Sequence, residues 1–313
     1  MKKQITSLLG MDFKSMTFHS ATGKLEYTLT NDFLFKAVLQ NNKKVLKALV
    51  ASLMHLKMNE ITSIEITNPI EPGNSVTSKT FNLDIRLILN GTTIVNLEMQ
   101  VLNKGFWSER SVSYLARSFD NLERGDDYGQ VKSVIHIGFF DFDLPDVPAE
   151  FYGTYQLLNV KNGTKYSGRF TLSVVNLKHT DLATEEDKKY HIDKWAALFK
   201  ATTWEEIKMI AGKDEYLNEA SSELFRLCAE DAVRAECEAR ERYYREQEYM
   251  NKRIAKLEKE GKEKDNLLAQ KDQTIAEKNY VIAALNAEKE QAIDALNAEI
   301  KKLKEQLKKD SKC

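Results

Sequence analysis

The chain has 313 residues, with 46 basic against 47 acidic side chains and 42% hydrophobic residues, which leaves room for a globular core plus extensions. The near-zero balance excludes a surface that attracts polyanions everywhere while leaving a local basic groove open. Cys228 and Cys237 on a charged helical stretch and the terminal Cys313 make no disulfide framework or zinc ribbon, and His19, His55, His136, His179 and His191 are too scattered for a metal pair. No apolar run is long enough to span a bilayer, and Met1-Lys2-Lys3 is not followed by a hydrophobic signal region, so a cytoplasmic protein without membrane attachment is expected.

In chain order, a lead at 1–27 precedes helices expected over Asn31–Gln40 and Lys43–Leu56, the second with Leu46, Leu49, Val50 and Leu53 on one side. Asp32 falls in the first turn of the first helix, where an acid complements the helix dipole, and Lys36 follows one turn later. Strands are expected over Glu60–Asn68, Thr80–Leu89 and Thr93–Val101, then a helix over Trp107–Leu122 and a strand over Ser133–Asp141. On that helix Val112, Leu115, Phe119 and Leu122 are expected to face the sheet, with Arg110, Tyr114, Arg117 and Asn121 on the opposite or flanking side. His136, inside an apolar strand, reads as a satisfied buried histidine. Asn162-Gly163 marks the turn of a hairpin between Thr154–Val160 and Arg169–Leu177.

Two adjacent strands carry the chemistry. Leu83, Ile85, Leu87 and Leu89 alternate with Asp84 and Arg86, while Val95, Leu97 and Met99 alternate with Asn96, Glu98 and Gln100. A two-residue turn of Asn90-Gly91 would set Asp84 against Leu97, because a slip of one residue reverses every side chain. An odd loop, with Gly91 left-handed or Thr92 joining the turn, sets Asp84 beside Asn96 or Glu98, and the odd loop is predicted. Two clustered carboxylates need a shared proton, a flanking cation or a bound divalent metal, and hard oxygen ligands suit Mg²⁺ or Mn²⁺ better than zinc. The competing reading is a cross-strand ion network of Asp84, Arg86 and Glu98 on a solvated face.

Asp84, a hairpin, and then Glu98-Met99-Gln100 resemble the PD-(D/E)XK nuclease superfamily, specifically its transposase-like branch, the Rpn family of recombination-promoting nucleases. Asn31-Asp32-Phe33-Leu34-Phe35-Lys36, Glu109-Arg110-Ser111-Val112-Ser113-Tyr114 and Gly125-Asp126-Asp127-Tyr128 fit the same pattern in order, over about Thr28 to Lys178. The resemblance implies an α/β, restriction-endonuclease-like three-layer core with a mixed sheet over 28–180, and a Mg²⁺- or Mn²⁺-dependent endonuclease acting on DNA in recombination or mobile elements. It implies Asp84 and Glu98 as metal-binding acids, the Met99 carbonyl as a further ligand, and Asp32 as an acid that joins the site unless it only caps its helix. Gln100 stands where the superfamily has lysine. A neutral amide positions a water but cannot offset developing negative charge, so another cation must share that work. Arg110, with Tyr114 beside it, is the candidate to reach a phosphate, with a solvated helix face paired to Glu109 or Glu123 as an equal alternative; Lys36, unless it only pairs with Asp32, and Lys79 are further phosphate candidates. The alternative is a noncatalytic, oligomeric DNA-binding or scaffold protein on a degenerate nuclease fold.

A helical appendage is expected over 181–237, its last helix starting near Asp214 and running on into the tail. From 238 to 313 the composition is that of a coiled coil. Ile254, Leu257, Leu268, Ile275, Ile282 and Leu285 keep a heptad register interrupted by Lys264, Lys271 and Lys278, and Ile293, Leu296, Ile300, Leu303 and Leu307 resume it after a four-residue stutter. A homo-oligomer paired along this stripe is expected, with a lone charged helix as the alternative.

Overall fold

The computed structural model describes residues 17–71, 81–100, 102, 103, 105–120, 122, 125–144 and 147–310. Helix α1 (Asp32–Asn41) begins where the Asn31 side chain accepts the amide of Leu34, and α2 (Lys43–Leu53) where Asn42 accepts those of Lys44 and Val45. These caps satisfy donors that the first helical turn leaves without a partner. Both helices turn their apolar stripes inward, Leu34, Phe35, Val38 and Leu39 from the first and Val45, Leu46, Leu49, Val50 and Leu53 from the second.

The strands are β1 (Ile64–Thr67), β2 (Ile70–Glu71), β3 (Phe81–Asn82), β4 (Ile85–Leu89), β5 (Thr93–Gln100), β6 (Ser133–Phe140), β7 (Tyr152–Leu158) and β8 (Lys165–Asn176). Six of them form one mixed sheet in the order β1-β4-β5-β6-β8-β7, and β2 pairs with β3 separately. The pairs β1–β4, β4–β5 and β7–β8 are antiparallel, while β5–β6 and β6–β8 are parallel. Helix α3 (Trp107–Phe119) makes the crossover that a parallel β5–β6 pair requires. The strand expected over Thr80–Leu89 is interrupted at Leu83 and Asp84, so β4 starts just after the acid.

Strand alternation sorts residues into three layers. Ile85, Leu87, Leu89, Val95, Leu97, Met99, Ile137, Phe139 and Val175 join the main core with α1 and α2. Ile94 and Val134, and further along Phe140 and Val174, face the other way and are covered by Leu115 and Trp107 of α3. The side of β5 carrying Asn96, Glu98 and Gln100 is therefore a second interior rather than a solvated face, and all three are buried. The inward stripe of α3 is Trp107, Ser111, Tyr114, Leu115 and Ser118, while Val112 is 48% exposed. This corrects the expected orientation: Tyr114 packs inward and Val112 outward, because the Trp107 indole settles over Gly138 and sets the rotation of the helix.

Helices α4 (Glu185–Lys189), α5 (Ile192–Lys200), α6 (Trp204–Ala211) and α7 (Glu215–Cys228) bury Trp195, Phe199, Ile207, Leu217 and Leu224 in the same cluster as the sheet. Helix α8 (Asp231–Asp310) then begins after a break that the sequence reading did not anticipate. Carrying the inward stripe of α7 (Leu217, Ala220, Leu224, Leu227) forward would bring Asp231 and Ala235 to the core. The interruption at Ala229 and Glu230 rephases the helix so that Val233 and Cys237 are buried instead, with Arg234 Nη1 donating to the Cys228 carbonyl at 3.0 Å across it. One compact unit ends at Glu246; the second begins at Gln247. Within the second, Ile254, Leu257, Leu268, Ile275, Ile282, Leu285, Ile293, Leu296, Ile300 and Leu303 are exposed along α8. Among the described residues no helix is long and apolar enough to cross a membrane.

Candidate active site

The β4–β5 connection determines what the two acids can do. Asn90 (φ 50°) and Gly91 (φ 70°) are both left-handed, and the Thr92 amide closes on the Leu89 carbonyl at 3.1 Å. Asn90 adopts this conformation because its side chain is fully used: Oδ1 accepts the amides of Thr62 (2.8 Å) and Ser63 (3.1 Å), and Nδ2 donates to the Glu60 carbonyl (2.9 Å). Pairing of Leu89 with Thr93 and of Ile85 with Leu97 leaves a loop of Asn90, Gly91 and Thr92, the odd loop expected. Asp84 lies just before Ile85, the first paired residue of β4, and lines the same cleft as Glu98.

Asp84 sits where the β4 ladder stops, and it takes over the ladder's work. Its Oδ2 accepts the Met99 amide at 2.7 Å, a donor that β4 no longer serves. Burial pushes the Asp84 carboxyl up to about 6 and Asp32 adds to the rise, against the Met99 hydrogen bond and the charges of Lys36 and Arg110. Glu98, 2% exposed, accepts from Arg110 Nη2, and Arg110 Nη1 donates to Gln100 Oε1 at 2.9 Å. Gln100 Nε2 donates to the Leu102 carbonyl, so both ends of its amide are held. The Arg110 guanidinium lies 5.2 Å from the Tyr114 ring centroid, and Tyr114 is edge-on to His136.

His136 has its Nε2 3.6 Å from Glu98 Oε2. Burial and the nearby Arg110 push its pKa down to about 3, so the ring is neutral and does not balance the glutamate's charge. Neither ring nitrogen has a hydrogen-bond partner among the described residues, so His136 is buried as expected but not satisfied. Gly138 pairs with Glu98, and a Cβ there would enter the Trp107 indole. The missing side chain lets the first turn of α3 settle on the sheet and delivers Arg110, three residues after Trp107, to Glu98.

Asp32 belongs to a second constellation, one that the sequence reading missed. Tyr244 donates its hydroxyl to Asp32 Oδ1 at 2.5 Å and accepts the Asp32 amide at 3.3 Å, while Arg240 Nε lies 3.3 Å from the same Oδ1. Asn31 fastens the two helices together, with Nδ2 donating to the Cys237 carbonyl (3.2 Å) and to Glu241 Oε1 (3.3 Å). The available signal was the spacing of Val233, Cys237, Arg240 and Tyr244 at i, i+4, i+7 and i+11, which puts all four on one face of a helix.

A cleft of about 140 Å³ gathers Asp32, Asp84, Glu98, Met99, Gln100, Leu102, Arg110, Arg240, Tyr243 and Tyr244. Among the described residues no group of three or more His, Cys, Asp or Glu is arranged to hold a metal ion, and Asp32 lines the cleft with its carboxylate on Tyr244 and Arg240. Arg110, expected to reach outward to a phosphate, is turned onto Glu98 and Gln100, and Tyr114 is buried beneath it, 7% exposed, where it has no access to a ligand on the surface. Lys36 acts on Asp84 through its charge without lining the cleft, and Lys79 lies outside the described residues.

No curated protein and no solved structure matches the chain. Residues 29–253 of the 313 match the family described as PD-(D/E)XK nuclease family transposase. The match extends well beyond Lys178 and takes in α4 to α7 and the start of α8, including Arg240 and Tyr244. The chain belongs to the PD-(D/E)XK nuclease family transposases.

Proposed function

We propose that this chain is a divalent-metal-dependent endonuclease that hydrolyses DNA phosphodiesters, with Asp84 and Glu98 as the acids that bind Mg²⁺ or Mn²⁺. The observation that carries the proposal is that both carboxylates line one cleft at the end of a strand pair joined by a three-residue turn. Asp84 and Glu98, with the adjoining Met99 carbonyl, would hold the cation, and oxygen donors of this kind suit a hard dication. An Asp84 carboxyl raised to about 6 fits as well, because desolvated anions are what a dication stabilises most. Bound there, a divalent cation supplies Lewis acidity at a phosphoryl oxygen and lowers the pKa of the attacking water.

The chain's own residues do the rest. Asp84 and Glu98 define the position on the sheet at which the phosphodiester is presented. Gln100 holds Arg110 through its amide oxygen, and Arg110 balances the charge of Glu98. Hydrolysis then breaks one P–O bond and leaves a phosphate end and a hydroxyl end. DNA as substrate, a role in recombination or mobile elements and a cytoplasmic setting belong to the same proposal, as does pairing of two chains along the exposed stripe of α8, which would set two active sites on one duplex.

One observation favours a noncatalytic DNA-binding role instead: the Arg110 guanidinium already neutralises Glu98. Incubation of the full chain with supercoiled plasmid and Mg²⁺ or Mn²⁺, beside Asp84→Ala and Glu98→Ala, separates the two. The nuclease reading expects nicking by wild type alone; equal behaviour of all three proteins refutes it.

A further inference from the structure

Resting on the nuclease reading, the site has a deficit of positive charge. Gln100 supplies no ammonium, and a phosphodiester entering a cleft that contains Asp32, Asp84 and Glu98 meets three carboxylates. Arg110 is committed, with one terminal nitrogen on Glu98, the other on Gln100, and its guanidinium carbon over the Tyr114 ring. The other arginine in the cleft comes from α8. Arg240 Nε lies 3.3 Å from Asp32 Oδ1 as an ion pair, its side chain is 48% exposed, and its terminal nitrogens have no hydrogen-bond partner among the described residues. A guanidinium paired on its Nε side leaves those two nitrogens as a planar fork, the geometry that grips two phosphate oxygens at once.

We propose that Arg240 is a phosphate-binding residue of this site, and that the start of the C-terminal helix supplies the cation that glutamine at position 100 does not. Asp32 is then a positioning residue: held by Tyr244 on Oδ1, it keeps the Arg240 guanidinium at the cleft through their ion pair. Asn31, buried and bonded to the Cys237 carbonyl, keeps α1 and α8 in register for this contact. The arginine therefore belongs to the compact unit that contains the sheet and not to the tail beyond Gln247.

The test uses the full chain with Arg240→Gln, which keeps most of the stem, and Arg240→Lys. Binding of a short fluorescent duplex is read by anisotropy in Ca²⁺ across a salt series, and plasmid nicking is read in Mn²⁺. Arg240→Gln is expected to weaken duplex binding by about tenfold, to lower the salt slope by about one and to slow nicking by about a hundredfold, with Arg240→Lys in between. Unchanged affinity and salt slope in Arg240→Gln overturn the proposal, and if Glu98→Ala still abolishes nicking, the nuclease reading survives that failure. A wild type that never nicks but loses affinity and salt slope in Arg240→Gln has the opposite meaning: the phosphate site stands and the nuclease reading falls. If Arg240→Gln unfolds, the binding comparison is made with Arg240→Lys and Asp32→Asn, and wild-type affinity in both overturns the proposal.

Discussion

Replacing Asp84 with asparagine is expected to make the metal-free protein more stable at pH 8 while abolishing its activity. Burial raises this carboxyl from 3.8 to about 6, a difference worth about 3 kcal/mol between its protonated and ionised forms. The side chain keeps some contact with solvent, so roughly 1–2 kcal/mol is the gain to expect from removing the charge. Asparagine preserves the shape and accepts the Met99 amide through its own Oδ1, so the replacement removes the charge and little else. The folded state binds the Asp84 proton more tightly than the unfolded chain does. Its contribution to wild-type stability is therefore fully present below about pH 4 and is lost as pH rises through about 6, whereas the variant loses nothing in that window. Tryptophan fluorescence is the assay, since Trp107, Trp195 and Trp204 are all buried in the unit that carries the site. With EDTA present, the unfolding midpoint of the variant is expected to lie about 2–8 °C above wild type at pH 8 and to converge with it by pH 4. Mg²⁺ is expected to raise the wild-type midpoint and leave the variant's unchanged. A variant equally destabilised at both pH values would refute the reasoning, because the carboxylate would then be contributing structure rather than bearing a desolvation cost.

Two further outcomes follow from the same geometry. Arg110→Met removes the guanidinium paired with Glu98, 2% exposed, and urea unfolding without metal at pH 8 is expected to show a loss of about 3–5 kcal/mol. Ile282→Lys with Leu285→Lys, on the exposed stripe of α8, is expected to convert an oligomer to monomer in sedimentation velocity with no change in the tryptophan-detected transition; an unchanged sedimentation coefficient would argue against pairing along this helix.

The strand pair and its odd turn were legible in sequence because alternation and loop parity are local properties. So were α1, α2 and the β7–β8 hairpin, whose turn at Asn162-Gly163 is found with Gly163 left-handed (φ 71°). The rotation of α3 was not legible. Val112 and Tyr114 both suit a helix, and only the gap left by Gly138 for Trp107 shows which side faces the sheet. The assignment of Arg110 to Glu98 rather than to a ligand was hidden for the same reason, since it depends on that rotation. Arg240 and Tyr244 escaped notice because they lie more than two hundred residues from Asp32 in a segment whose composition reads as tail. Nor did the break before Asp231 announce itself with proline or glycine, because it arises from a two-residue change in which positions are apolar.

The most direct measurement is a Mn²⁺-soaked crystal of the full chain examined for anomalous scattering. A single ion between the Asp84 and Glu98 carboxylates, beside the Met99 carbonyl and absent from Glu98→Ala, is the predicted result. A cleft without Mn²⁺ at saturating concentration, with Arg110 still on Glu98, would contradict it.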